Sequence, residues 1–148
     1  MRQLVLATKN LGKIAEFDRL LNQFASDIKV LGLSDYPDMP EVEETGVTLS
    51  ENARLKAKAI SQFTNLPALA DDSGLFIDAL NGQPGIYSAR FSGYAGNNSK
   101  ERDLANIRKV LELLTDVPEP KRGAQFKAVV AFYKPNPDGT VIEKEELG

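Results

Sequence analysis

The chain has 148 residues, 42% of them hydrophobic, a net charge of −3, and neither cysteine nor histidine. Disulfide frameworks, thiolate metal sites, imidazole bases and the usual zinc sites are thereby excluded, so acid–base or metal chemistry rests on Asp, Glu, Lys, Ser, Thr or Tyr. The acidic balance argues against a nucleic-acid partner, and without a signal peptide or a membrane-length apolar run a cytoplasmic protein with no membrane partner is expected.

The elements follow in chain order. Leu4 to Ala7 is a short apolar run that reads as a buried strand. From Lys13 to about Phe24, the residues Ile14, Phe17, Leu20, Leu21 and Phe24 recur at helical spacing. Ile28 to Leu33 reads as a second strand, and Pro37 and Pro40 mark a loop beyond it. Thr48 to Glu51, TLSE, is a capping-box pattern that opens an alanine-rich helix reaching about Phe63. Two apolar runs then flank the pair Asp71 and Asp72. A third helix is predicted from Ser99 to Leu114, with Leu104, Ile107, Leu111 and Leu114 on one face. Phe126, Ala128, Val130 and Phe132 alternate as a strand. Pro135 to Gly139 makes a turn, and Thr140 to Lys144 pairs back as a hairpin. The pattern is α/β, a mixed sheet flanked by helices, in one domain over residues 1–148.

Four polar clusters interrupt this frame. ATKNLGK, Ala7 to Lys13, joins the first strand to the first helix, where backbone amides and the helix dipole suit an anion. Thr8, Asn10 and Lys13 add donors there, although the same residues serve equally as an ordinary helix start. PEVEETG, Pro40 to Gly46, is an acidic loop that alone reads as solvated surface. In NARLKAK, Asn52 and Lys56 stand one turn apart on one helix face, where they either meet a ligand or face solvent. The fourth cluster is the Asp pair. Two like charges between buried runs repel and lose hydration, unless DSG forms a turn or something positive sits beside them.

In order and spacing, T-x-N-x-x-K, E-E-T-G, E-N-A-x-x-K-A, A-D-D-S-G-L and P-G-I-Y-S-A-R resemble the motifs of the inosine triphosphatase family, the non-standard purine NTP pyrophosphatases. Here they are Thr8 to Lys13, Glu43 to Gly46, Glu51 to Ala57, Ala70 to Leu75 and Pro84 to Arg90, so the resemblance spans essentially the whole chain. Lys9 departs from the family's usual glycine at a tolerant position.

The resemblance implies Mg²⁺-dependent hydrolysis of ITP, dITP and XTP to the monophosphate and pyrophosphate, which cleanses the nucleotide pool. It implies that Thr8, Asn10, Gly12 and Lys13 hold the triphosphate, that Lys56 faces the phosphates and that Ser73 touches substrate. It assigns Glu43 or Glu44, with Asp72, to the metal, and makes Asp72 the proton acceptor for the attacking water. Asp71, adjacent on a strand end, is expected to point the other way, toward a lysine or a backbone amide. An elongated, two-lobed molecule with a central cleft, paired as a homodimer, is implied as well. Elementary chemistry agrees, since Mg²⁺ prefers oxygen ligands and commonly bridges one or two carboxylates to phosphates. The positive partner of the Asp pair is then a metal ion, helped by Lys13 and Lys56.

The 148 residues end at EELG, Glu145 to Gly148. In the family, a G-F-G-Y-D-P stretch, a lysine and a Ser-His-Arg follow and read the purine base. The chain is therefore expected to be the N-terminal portion of the family fold, with the phosphate-and-metal half of the site and not the base-reading half. A second expectation stays open, that of a non-catalytic nucleotide-binding or subunit-interaction protein derived from that family.

Overall fold

Five strands form one mixed sheet in a computed structural model that describes residues 2–135 and, for the backbone, 141–147. The strands are β1 (Arg2–Leu6), β2 (Ile28–Gly32), β3 (Ala68–Ile77), β4 (Ala124–Pro135) and β5 (Val141–Leu147), in the order β2-β1-β3-β4-β5. The helices are α1 (Leu11–Asn22), α2 (Leu49–Thr64) and α3 (Ser99–Leu113). The α/β class with a mixed sheet is borne out. Among the described residues no helix is long and apolar enough to cross a membrane. The chain divides into two compact units, one running through Asp71 and resuming at Val129, the other covering Asp72–Ala128.

In the first unit β1 runs parallel to both neighbours, pairing Leu4 with Val30 of β2 and Val5 with Ala68 of β3. A parallel strand with a neighbour on each side favours apolar residues, and in the LVLA run Val5 is fully buried while Leu4, Leu6 and Ala7 are half-buried. Val5, Ile60 and Ala68 form a core cluster here, with Leu31, Leu33, Tyr36 and Leu66 packed against it. β5 pairs antiparallel with β4, with Val130 opposite Glu146 and Phe132 opposite Lys144. The strand expected to pair back from Thr140 to Lys144 is present from Val141 on; of the turn expected from Pro135 to Gly139, Pro135 ends β4, and 136–140 lie outside the described residues.

Helix starts follow capping chemistry. Thr48 caps α2 by accepting from the Glu51 amide at 3.1 Å, and the Glu51 carboxylate reaches one residue further back to the Val47 amide at 2.7 Å. Thr48→Ala removes the cap and is expected to lower stability by about 1 kcal/mol, read as a shift in the urea unfolding midpoint. Thr48→Ser should restore most of it. At its far end α2 stops at Asn65 in the left-handed conformation, and the buried Ser61 hydroxyl donates to the Leu66 carbonyl at 2.7 Å.

One helix end needs correction, and two apolar faces read from the sequence are largely uncovered in elements that form as expected. Helix α1 ends at Asn22, so Phe24 lies beyond it and is 86% exposed. On α3 only Leu114, its C-terminal cap, is buried, and Leu104, Ile107 and Leu111 face largely outward among the described residues. In β4 the inward set is Val129, Ala131 and Tyr133. Phe126 and Val130, in the alternating set read from sequence, are exposed. Both phases of that strand are apolar, so alternation marked the strand without telling which face is covered.

Candidate active site

The segment from Thr8 to Lys13 runs from the loop after β1 into the first turn of α1, in the first unit. Asn10 is the N-cap of α1, and its side-chain oxygen accepts from the amides of Gly12 at 3.0 Å and Lys13 at 3.2 Å. The Thr8 hydroxyl oxygen in turn accepts from the Asn10 amide at 3.1 Å. Two amides that an anion would meet are therefore turned onto the cap. The side-chain donors here that can still reach a ligand include the Thr8 hydroxyl hydrogen, the Asn10 NH₂ and the ammonium groups of Lys9 and Lys13. Thr8 and Lys13 line a cavity of about 340 Å³ whose rim also carries Glu16 and Asp71, with Phe17, Leu20 and Val130 as apolar wall.

The acidic loop meets α2 in the same unit. Lys56 Nζ lies 3.1 Å from Glu44 Oε1, with both side chains about three-quarters buried. Glu43 is exposed. Two residues on, the Gly46 amide donates to Asn52 Oδ1 at 2.8 Å, and Asn52 is fully buried. Sequence placed Asn52 and Lys56 on one helix face. It did not show that the acidic loop itself is what they grip.

Asp71 and Asp72 lie within one uninterrupted ten-residue strand, β3, rather than in a turn. Successive side chains on a strand take opposite faces, so Asp71 is exposed on the side of the cavity that Lys13 also lines. Asp72 opens the second unit, and its Oδ2 atom is buried. Ser73 follows and lines a cavity of about 530 Å³ with Ser88, Asn106 and the apolar residues Ile107, Val110 and Phe126. Nearby, the Ser88 hydroxyl accepts from the Leu75 amide at 2.9 Å and donates to the Gly85 carbonyl at 2.6 Å. Ser88 therefore fastens the P-G-I-Y-S-A-R segment, a 3₁₀ turn over Gly85–Arg90, directly onto β3. Its position inside that motif was the available signal, but no role could be read from sequence.

The structure thus joins Thr8, Lys13 and Asp71 at one cavity of the first unit, and Glu44 and Lys56 at one ion pair. It leaves Glu43 outside that pair.

The model of the Ham1 family matches residues 4–147. A Bacillus cereus protein named dITP/XTP pyrophosphatase is 49% identical over 138 residues, which are 93% of this chain and 64% of that protein. The chain thus spans less than two thirds of that relative's length. A Streptomyces avermitilis protein of the same name is 45% identical over 148 residues, covering all of this chain and 72% of the relative. Among solved structures, a HAM1 protein from Coxiella burnetii superposes with a TM-score of 0.79 at 38% identity, over 99% of this chain and 71% of that one. With the family model matching nearly end to end and the fold shared at this level, the chain belongs to the Ham1 family, the inosine triphosphatase family that its five motifs resemble.

Proposed function

We propose that the protein hydrolyses non-standard purine nucleoside triphosphates, ITP, dITP and XTP, to the nucleoside monophosphate and pyrophosphate with Mg²⁺ as cofactor. The observation that carries this reading is the largely buried Glu44 held 3.1 Å from Lys56 on the loop and helix of two family motifs. Relatives named dITP/XTP pyrophosphatase, 45–49% identical, support the substrate class. In this reading the enzyme is cytoplasmic and acts as a homodimer, and residues 1–148 form the N-terminal portion of the family fold.

The residues fit a magnesium ion. Their donor set is oxygen only, and among the described residues no group of three or more acidic side chains forms a cage. Mg²⁺ suits such a setting because it commonly takes one or two carboxylates and fills its shell with water and substrate phosphate. Glu44 and Asp72 are the carboxylates assigned to it, and the exposed Glu43 serves as an outer acidic neighbour. The ion would supply charge neutralisation at the phosphate oxygens and a more acidic bound water.

The chain's own residues do the remainder. The Asp72 carboxylate accepts a proton from the attacking water as its oxygen bonds to the α-phosphorus. The bond from that phosphorus to the bridging oxygen breaks, and pyrophosphate leaves with the electron pair. Thr8, Asn10 and Lys13 donate to the polyphosphate, with Gly12 allowing close backbone approach. Ser73 touches the substrate, and Lys56 balances the charge of Glu44 and faces the phosphates.

Incubation with ITP or XTP and Mg²⁺ should release pyrophosphate, and EDTA should stop it. Triphosphate binding without any release would favour a non-catalytic nucleotide-binding protein or subunit-interaction partner instead. Within this reading, Lys13→Ala should raise KM for the triphosphate by about tenfold, the loss of one phosphate-directed charge, and leave the thermal midpoint within a few degrees. Lys13 is exposed and contributes no core packing. An unfolded variant, or an unchanged KM, would return the Thr8–Lys13 loop to a structural role.

A further inference from the structure

Asn52 sits in the first turns of α2, fully buried, where asparagine is a weak helix former and a buried amide is costly unless bonded. Its neighbours on the buried face, Ala53 and Ala57, show that a small apolar side chain fits this surface. One end of the Asn52 amide is accounted for. Because the Gly46 backbone N–H can only donate, the atom 2.8 Å from it must be the carbonyl oxygen, and the other atom must be the NH₂. That NH₂ is buried and has no hydrogen-bond partner among the described residues.

The geometry around it is a two-point grip. Asn52 and Lys56 are four residues apart, about 6 Å along the helix axis. They hold Gly46 and Glu44, two residues apart, which nearly extended chain also separates by about 7 Å. The loop lies hard against the helix at Gly46. A Cβ there would come within 2.7 Å of Asn52 Oδ1 and 2.6 Å of Glu51 Cβ. Glu51 takes the next amide, that of Val47. The orientation of Glu44 is thus set by backbone contacts as well as by its ion pair.

We propose that Asn52 is a positioning residue that acts at both ends of its amide. Its oxygen fixes the acidic loop through Gly46, and its buried NH₂ meets an oxygen of a Mg²⁺-bound polyphosphate or of its water shell. The inference rests on the pyrophosphatase reading for the identity of the ligand. A buried donor without an acceptor calls for a partner rich in acceptors, and polyphosphate oxygens with their waters are that partner. The carboxylates of the loop only accept, so the NH₂ adds a kind of contact they cannot make.

The test uses inorganic pyrophosphate at saturating Mg²⁺ as probe, with calorimetric titration and amide hydrogen exchange at Gly46 as readouts. Asn52→Asp keeps the acceptor and loses the NH₂, so Gly46 should stay protected while the probe binds at least tenfold more weakly. Ser50→Asp adds the same charge nearby and leaves the Asn52 amide intact, so it should weaken binding less than threefold. Asn52→Ala should lose both Gly46 protection and binding, and Asn52→Asp decides the donor role even if the alanine variant does not fold. Binding by Asn52→Asp equal to wild type, or no weaker than by Ser50→Asp, would overturn the donor role. Unchanged Gly46 exchange in a folded Asn52→Ala would overturn the grip. If the variants behave as expected and no purine triphosphate is hydrolysed, the enzymatic reading falls and Asn52 keeps its place. If ITP is hydrolysed and Asn52→Asp matches wild type, the reverse holds.

Discussion

Asp72→Asn is expected to leave the fold intact and to reduce pyrophosphate release from ITP by about a thousandfold, within the range for loss of a positioned general base. The substitution keeps the volume and planarity of a side chain whose Oδ2 is buried on β3, so packing changes little. What disappears is the negative charge and the proton affinity. An amide oxygen is a poor base and a weaker ligand for a hard divalent cation than a carboxylate. Two effects should therefore separate in one experiment. The Mg²⁺ concentration for half-maximal rate should rise, and the rate at saturating Mg²⁺ should stay low. Recovery of the rate by added Mg²⁺ would leave Asp72 as a metal ligand without the role of base. A rate within a few fold of wild type under all conditions would remove it from both. Asp71→Asn is the companion variant, because Asp71 takes the opposite face of the strand and lines the cavity of Thr8 and Lys13.

Why these neighbours were hard to place from sequence is a matter of competing local signals. D-D-S-G carries turn chemistry, and two adjacent carboxylates look intolerable inside a sheet. In the structure β3 runs straight through, because alternation along a strand sends the two carboxylates to opposite faces. The strand itself was legible at both ends, in Leu66 to Ala70 and in Leu75 to Ile77, and only its continuity was missed. The helix start at Thr48 was legible because capping is decided by two or three neighbouring residues, whereas the first helix is read from Lys13 and its cap at Asn10 is missed. The exposure of α3's apolar stripe was not, since periodicity reports a face and says nothing of what covers it.

The site divides in the same way. Asn52 and Lys56 could be put on one face by counting, since four residues make about one turn. Gly46 could not be matched to Asn52, because that contact joins a loop to a helix and depends on a backbone amide that every residue but proline carries. Which of Glu43 and Glu44 pairs with Lys56 was likewise invisible until the 3.1 Å contact placed Glu44 there. Residue types and spacing therefore marked the polar clusters, and tertiary contact showed which of their members touch one another.

Gly74→Ala is expected to cost about 3 kcal/mol or more, at the upper end of what overpacking costs, and to lower the unfolding midpoint accordingly. Gly74 is buried in β3, and a Cβ there would run into the carbonyl oxygen of Gly85, with the Ser88 hydroxyl 3.2 Å away. The obstacle is backbone, and it has little freedom to retreat. Gly85 holds a left-handed φ of 53°, and its carbonyl accepts from Ser88, which also accepts from the Leu75 amide. Making room would break both hydrogen bonds and leave Leu75 N–H and Gly85 C=O unpaired in a half-buried setting, adding roughly 1 kcal/mol or more each. Ser88→Ala alone removes those bonds without the collision and should cost less, about 1–2 kcal/mol. The double variant should be no more stable than Gly74→Ala, because deleting the hydroxyl does not move the carbonyl. Urea unfolding of the three variants measures this. If Gly74→Ala shifts the free energy by less than about 1 kcal/mol, or if Ser88→Ala rescues it, the close approach of Gly85 to β3 is not what holds this segment in place. Since Asp72 and Ser73 directly precede Gly74, a folded Gly74→Ala should also lose activity out of proportion to its stability, as the strand that carries them shifts to accommodate the methyl group.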